Sequence, residues 1–253
     1  MEQFDPILDD LMDVVGGDKA VTYVCFVQDH SGSMGEFLAG SEQTRAQIQM
    51  ENYNEQMVVL RRATGEMETL VTLVEFDDNI KTRYKNVPVA EAIDLGDYWT
   101  GGMTALYDAV GMSIRDIESV MEDDPRPNKA ALIIVQTDGF ENRSKEFSKI
   151  MLKNKIADLE KTGIWTFVFL GENLDSDIMM DVSMQNQYQF SNTAGDYKRS
   201  STRLSDGISN YYTGRARGAT KSNTMMSDPS LNPADEFMQM LKNEVAKRKE
   251  DVV

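Results

Sequence analysis

Short runs of apolar residues alternate with longer segments of helical period through the middle of the chain. The apolar runs are rich in β-branched and aromatic side chains and occupy residues 21–27, 70–74, 132–135 and 165–170. Strands that are apolar on both faces are typical of a parallel sheet that helices cover on both sides. After the turn residues Asp78 and Asn79, residues 80–87 predict a strand that forms a hairpin with residues 70–76.

Between these runs, large apolar residues recur at intervals of three and four, as they do on one face of a helix. The three stripes are Met50, Tyr53, Met57 and Leu60; Leu106, Val110, Ile117 and Met121; and Leu152, Ile156 and Leu159. Strands that alternate with helices of this length predict an α/β doubly wound fold, with helices on both faces of a mostly parallel sheet. The hairpin strand would be the one antiparallel edge strand.

The charge of the chain is strongly acidic and unevenly distributed. Its 26 Lys and Arg against 42 Asp and Glu give a formal net charge of −16. Residues 1–19 hold six acids and one base, residues 20–191 hold 28 acids and 15 bases, and residues 192–253 hold eight acids and ten bases. Because contacts to phosphates need clustered cations, we do not expect nucleic-acid binding to be the main function.

Composition divides the chain into five segments. Residues 1–19 form an acidic N-terminal extension, residues 20–197 form the α/β domain, and residues 198–221 form a basic segment that could be a last helix with a mobile end. Residues 222–231 have the composition of a linker. Residues 232–249 predict a C-terminal amphipathic helix, which Asn232 would cap and Pro233 would open.

Three absences in the sequence narrow the class of protein. No run of eighteen apolar residues could form a transmembrane helix, and the first 17 residues lack the cationic start and apolar stretch of a secretory signal. The single cysteine, Cys25, cannot form an internal disulfide or a cysteine-based zinc site. We therefore expect a soluble globular protein of the reducing cytoplasm, without membrane contact, in which any metal is held by oxygen ligands.

A carboxylate and two hydroxyls follow the first predicted strand at intervals of two residues, as Asp29, Ser31 and Ser33. In a doubly wound sheet this loop lies at the carboxyl edge, where ligands bind, and Gly32 allows the chain to curl there. Oxygen ligands of this kind suit a hard cation such as Mg²⁺. An ordinary turn capped by Asp and Ser side chains is the alternative.

Two further segments lead to the same edge of the predicted sheet. Thr104 ends a Thr-Gly-Gly-Met-Thr segment that precedes a predicted helix, and the strand at residues 132–135 runs out to Asp138. Taken alone, Thr104 could be a helix N-cap and Asp138 could belong to the turn before Gly139. The occurrence of all three segments in this order, each beside a strand exit or a helix entry, favours one joint site.

The constellation of Asp29, Ser31, Ser33, Thr104 and Asp138 resembles the metal-ion-dependent adhesion site of von Willebrand factor A domains. The resemblance covers about residues 20 to 190 and points to the short, stand-alone members found in bacteria and their phages. It implies a six-stranded, Rossmann-like fold with Mg²⁺ at its carboxyl edge, Mn²⁺ and Ca²⁺ being alternatives. Three hydroxyls would be ligands, and the two carboxylates would act directly or through water.

The resemblance also implies a function. One coordination position of the cation would lack a protein ligand, and in this family an Asp or Glu of a protein partner often fills it. We therefore expect a non-enzymatic, metal-dependent protein–protein interaction module within a phage or another multiprotein assembly. Its place would be the bacterial cytoplasm or a phage virion. The identity of the partner and the oligomeric state stay open.

Residues beside the metal loops could form a rim that contacts the partner. These are His30, Met34, Tyr98, Trp99, Met103 and Phe140. Trp and Tyr are favoured interface anchors, but Tyr98 and Trp99 could equally pack the loop. His30, the only histidine of the chain, either points outward from the loop or repels the cation when it is protonated.

The sequence is also compatible with two other functions. A cation beside two carboxylates could activate water in a phosphate-ester hydrolase, although the ligand loops contain no Lys or Arg and no second metal set. Alternatively, the chain is a structural or nucleic-acid-associated subunit that acts through residues 198–221, which carry six bases and one acid.

Overall fold

The computed structural model describes residues 19–138, 141–172 and 187–220. Six strands form one sheet: β1 Val21–Asp29, β2 Glu68–Phe76, β3 Ile80–Pro88, β4 Lys129–Thr137, β5 Trp165–Glu172 and β6 Gln187–Phe190. Their order across the sheet is β3-β2-β1-β4-β5-β6, and all neighbours are parallel except β2 and β3. The predicted α/β doubly wound sheet with one antiparallel edge strand is confirmed.

Four α-helices cover this sheet in the described part of the chain: α1 Arg45–Ala63, α2 Leu106–Asp123, α3 Lys149–Glu160 and α4 Ala194–Thr220. A short 3₁₀ helix, Gly32–Gly35, follows β1 directly. The start of α1 is fixed by a capping box, in which the Thr44 hydroxyl accepts the Gln47 N–H and the Gln47 side chain accepts the Thr44 N–H. The first turn of α1 therefore has a defined position above the end of β1.

An apolar core lies on each face of the sheet. On one face, α2 and α3 pack Ile117 and Ile156 against residues of β1, β4 and β5 such as Phe167. On the other face, α1 and α4 pack Tyr53 and Ile208 against their own set of strand residues. The central strand β1 is buried along all of its nine residues, which explains why its sequence is apolar on both faces. Cys25 is buried within it, as a small apolar side chain would be.

The basic segment is part of this fold rather than an appendage. Helix α4 begins at Ala194, before the predicted boundary at residue 198, because its apolar face completes the core on the α1 side. Of its four cations with described side chains, Arg203 and Arg215 are buried and only Lys198 and Arg199 are exposed. The Nη2 of Arg215 donates to the carbonyl of Val21 at 3.0 Å, which connects the helix to the start of β1. Two of these four cations are therefore held inside the fold.

The predicted terminal segments lie outside the described residues. They comprise the N-terminal extension up to residue 18, the linker at residues 222–231 and the C-terminal helix at residues 232–249. Among the residues that are described, no helix combines the length and the apolar character that crossing a bilayer requires.

Candidate metal centre

The predicted ligand residues lie where two neighbouring strands end. β1 ends at Asp29 and β4 ends at Thr137, and the two strands run parallel, with Gln28 opposite Gln136. Asp29 and Asp138 therefore leave the sheet side by side. The 3₁₀ helix that begins at Gly32 turns the chain back over this edge directly after β1.

Asp29 is fully buried, and the protein supplies a donor to each of its carboxylate oxygens. The Ser31 N–H donates to Oδ1 at 2.7 Å, and the Thr137 hydroxyl donates to Oδ2 at 2.5 Å. Both oxygens are therefore engaged by groups of the chain. This arrangement favours an indirect role for Asp29, through water and through the position of the serine loop.

The two serines and Asp138 form one hydrogen-bonded group. The hydroxyl oxygens of Ser31 and Ser33 lie 3.2 Å apart, and the Ser33 hydroxyl donates to Asp138 Oδ1 at 2.9 Å. Together with the bond from the Ser31 N–H to Asp29, these contacts join four of the five predicted residues in one hydrogen-bonded group.

Thr104 reaches this group through the backbone of its loop. The Gly32 N–H donates to the carbonyl of Gly102 at 3.2 Å, which brings the serine loop and the Thr104 loop into contact. Asn142 holds Thr104 from the other side, because each accepts the other's backbone N–H, at 2.9 and 3.0 Å. Within the described residues, the Thr104 side chain is buried but makes no hydrogen bond to the other four.

Position 102 at this edge of the sheet requires a glycine. The sequence alone does not indicate this requirement. The φ of Gly102 is +66°, and an added Cβ would lie 2.1 Å from Asp78 Oδ1 and 2.8 Å from Asp77 Oδ2. Asp77 is itself buried and accepts the Asn79 N–H at 2.6 Å. The turn between β2 and β3 therefore fits closely under the Thr104 loop.

The donor atoms suit a hard divalent cation. Burial, together with the negative charge of Asp138, raises the pKa of Asp29 to about 6. A divalent cation beside these two carboxylates would offset both effects. Among the described residues no cluster of three His, Cys, Asp or Glu could hold a metal, so the centre depends on hydroxyl oxygens. That donor set suits Mg²⁺, which prefers oxygen ligands and keeps several waters.

Arg45 is a member of the centre that the sequence did not indicate. Its Nε lies 3.6 Å from Asp138 Oδ2, and its Nη1 donates to the Ser33 carbonyl at 3.1 Å and to Glu36 Oε2 at 2.9 Å. It is the first residue of α1, outside the ligand loops. No local motif marks it, because only the packing of α1 brings it to the end of β4.

The prediction that His30 and Met34 belong to an exposed rim is wrong. Both residues are fully buried. The His30 Nδ1–H donates to the Trp99 carbonyl at 2.8 Å, and its ring stacks on Tyr98 with centroids 3.9 Å apart. Burial lowers the pKa of His30 to about 4. The ring is therefore neutral between pH 6 and pH 8 and neither points outward nor repels a cation there.

Tyr98 packs the loop, whereas Trp99 and Met103 are exposed beside the centre. The Tyr98 hydroxyl donates to the Asp29 carbonyl at 2.5 Å and accepts from Gln49 Nε2 at 2.7 Å. Trp99 is 37% exposed and Met103 51% exposed. Phe37, which is not among the predicted rim residues, is 66% exposed just after the 3₁₀ helix. Phe140 lies outside the described residues.

No family model and no curated protein matches this sequence. Solved structures do match its fold. The pilus adhesin SpaC from Lactobacillus rhamnosus GG is 15% identical with a TM-score of 0.56, and the match covers 77% of this chain and 31% of SpaC. The proximal thread matrix protein PTMP1 from the mussel byssus is 14% identical with a TM-score of 0.52, and the match covers 76% of this chain and 48% of PTMP1.

A third match is the minor pilin PilB from Streptococcus sanguinis, at 14% identity and a TM-score of 0.50, covering 76% of this chain and 62% of PilB. In each of the three cases this chain spans less than two thirds of the length of the other protein. At these identities the likeness concerns the fold alone.

Proposed function

Because the chain has a von Willebrand factor A type of fold, we propose that it is a metal-dependent protein-interaction module. It would hold Mg²⁺ at the carboxyl edge of the sheet and bind an Asp or Glu of a protein partner. The observation that carries this proposal is the hydrogen-bonded group of Asp29, Ser31, Ser33 and Asp138 between β1 and β4.

Each residue of the centre has a separate part in this proposal. Ser31 and Ser33 would bind the cation with their hydroxyl oxygens and Asp138 with a carboxylate oxygen, since these atoms already face one another. Thr104 would join them from its own loop, and Asp29 would act through water. When bound, the cation supplies a positive charge with exchangeable coordination positions. A carboxylate of the partner is the group that such a position favours.

Two further features support protein binding at this edge. Trp99, Met103 and Phe37 are exposed, and aromatic and Met side chains are enriched at protein interfaces. The matched structures are a pilus adhesin, a minor pilin and a byssus matrix protein. Those names describe attachment and assembly, which is the class of function proposed here.

The hydrolase alternative has less support. A hydrolase of this kind needs a group that can accept a proton from water beside the cation. His30 is the only histidine of the chain, and it is buried with its Nδ1–H bonded to the Trp99 carbonyl. Arg45 is beside the centre, but three acceptors of the chain surround its guanidinium. Asp29 is a carboxylate that could accept a proton, but its two oxygens already accept the Ser31 N–H and the Thr137 hydroxyl, so a role in binding is favoured over a role in catalysis.

The setting of the module is part of the same proposal. The single cysteine is buried, and burial raises its pKa to about 12, so nothing in its chemistry calls for an oxidising compartment. We place the module in the reducing cytoplasm of a bacterial host or in a phage virion, within a larger assembly.

Affinity capture tests this function. The full chain is immobilised and exposed to extract from the cells that produce it, once with Mg²⁺ and once with EDTA. We expect a partner that is retained with Mg²⁺, is lost with EDTA, and loses binding when one of its own Asp or Glu residues is changed to Asn or Gln. The same proteins retained equally in EDTA would contradict the proposal.

A further inference from the structure

A buried positive charge lies inside the candidate metal centre. The guanidinium of Arg45 has Nε 3.6 Å from Asp138 Oδ2, and Arg45 as a residue is only 7% exposed. Asp138 is also the carboxylate that accepts the Ser33 hydroxyl. One carboxylate is therefore shared between a fixed cation of the chain and the oxygen cluster that would hold a divalent cation.

The position of Arg45 is fixed from several directions. It is the first residue of α1, whose start is set by the Thr44 and Gln47 capping box. Its Nη1 donates to the Ser33 carbonyl at 3.1 Å and to Glu36 Oε2 at 2.9 Å. Because the side chain is held and buried, the guanidinium cannot move far from Asp138 when a second cation arrives.

The effect of Arg45 on metal binding follows from the charges of the centre. Asp29 and Asp138 carry two negative charges, which a divalent cation would balance. Arg45 then adds one positive charge next to Asp138, in a centre whose Gly102 loop also lies against the carboxylates of Asp77 and Asp78. Glu36 offsets part of the Arg45 charge, but 68% of the Glu36 side chain is exposed, so water screens its charge. The charge of Arg45 is much less screened, because the residue is buried.

We propose that Arg45 sets the metal affinity of this centre, by pairing with Asp138 when the cation is absent and by opposing the cation when it binds. This inference rests on the proposed function. It means that the chain alone binds the cation less tightly than its oxygen donors allow. A carboxylate of the partner offsets the positive charge of Arg45, so the cation and the partner each strengthen the binding of the other. Occupancy of the centre is thereby tied to the presence of an acidic partner.

Calorimetric titration of the full chain with Mg²⁺ tests this role, with Arg45→Gln removing the charge and Arg45→Lys retaining it. Even with the full screening of water, a unit charge about 8 Å from a divalent cation changes the affinity about fivefold, and the burial of Arg45 makes this a lower bound. We therefore expect Arg45→Gln to bind Mg²⁺ at least about fivefold more tightly than the wild type, and Arg45→Lys to stay within about twofold of it. If Arg45 only positioned Asp138, Arg45→Gln would bind more weakly, and that result would overturn the inference.

Glu36→Gln provides a second measurement that does not depend on the folding of the Arg45 variants, because Glu36 is a surface side chain. Removal of its charge leaves Arg45 less compensated, and we expect Mg²⁺ binding to weaken about twofold. In the Arg45→Gln background the same change should have a smaller effect, and a double variant that binds Mg²⁺ no more tightly than Glu36→Gln alone overturns the role of Arg45. A wild-type chain that binds no Mg²⁺ overturns the proposed function itself, which separates the two failures.

Discussion

Replacement of Asp138 by asparagine is expected to lower the affinity for Mg²⁺ by at least about 100-fold while the chain stays folded. Changes in the outer shell of a metal site alone cost about 10- to 100-fold, and Asp138 is the carboxylate that accepts the Ser33 hydroxyl. Asparagine keeps an oxygen that can accept this bond and a similar shape, but it removes the charge. Calorimetric titration measures the affinity, and far-ultraviolet circular dichroism measures the fold.

A matched control for this change is Asp158→Asn. Asp158 is an exposed carboxylate of α3 that pairs with Lys161 at 2.8 Å, away from the metal loops. Asp158→Asn removes one negative charge, as Asp138→Asn does, so the net charge of the protein changes by the same amount in both variants. We expect its Mg²⁺ affinity to equal that of the wild type. Equal losses in Asp138→Asn and Asp158→Asn would mean that the cation is attracted by net charge and not held at the centre.

Replacement of Gly102 by alanine is expected to destabilise the chain by about 2–5 kcal/mol and to weaken Mg²⁺ binding. The left-handed conformation costs a residue with a Cβ about 1–2 kcal/mol, and forcing atoms into a filled space costs about 1–3 kcal/mol more. Here the new Cβ would lie 2.1 Å from Asp78 Oδ1 and 2.8 Å from Asp77 Oδ2. The loop that carries Thr104 must shift to relieve this contact. Urea unfolding and calorimetric titration measure the two effects.

Two other glycines separate strain from contact. Gly40 has a φ of +70° with nothing within 4 Å of an added Cβ, so Gly40→Ala carries the strain without the clash and should cost about 1–2 kcal/mol. Gly101, the neighbour of Gly102, has nothing within 4 Å and no left-handed φ, so Gly101→Ala should change stability by less than about 0.5 kcal/mol. A Gly102→Ala variant no less stable than Gly40→Ala would show that the contact with the β2–β3 turn carries no weight.

The fold could be predicted from the sequence because its signals are local. β1 is buried on both faces, so the run from Val21 to Val27 has no polar side to obscure its pattern. Asp29 and Asp138 could be placed together for a related reason. Each follows the end of a buried strand, and the parallel pairing of β1 and β4 brings the two strand ends to one edge. The assignment of the ligand residues to a metal stays a prediction.

The remaining features of the site depend on contacts between distant segments, which no local pattern records. Arg45 comes to Asp138 through the packing of α1, 93 positions earlier in the chain than the carboxylate that it faces. His30 lies beside two candidate ligands, yet Tyr98 and Trp99 from a loop 68 or 69 positions away cover it. The basic character of residues 198–221 suggested a charged surface, whereas the apolar stripe of α4 turns Arg203 and Arg215 inward.

Diffraction from crystals of the full chain grown with Mn²⁺, collected at the manganese absorption edge, tests the central claim most directly. We expect one anomalous peak at the carboxyl edge of the sheet, bonded to the hydroxyl oxygens of Ser31 and Ser33 and close to Asp138. This peak should disappear in Asp138→Asn at the same Mn²⁺ concentration. A peak held by other residues, or no peak at this edge at saturating Mn²⁺, would contradict the claim.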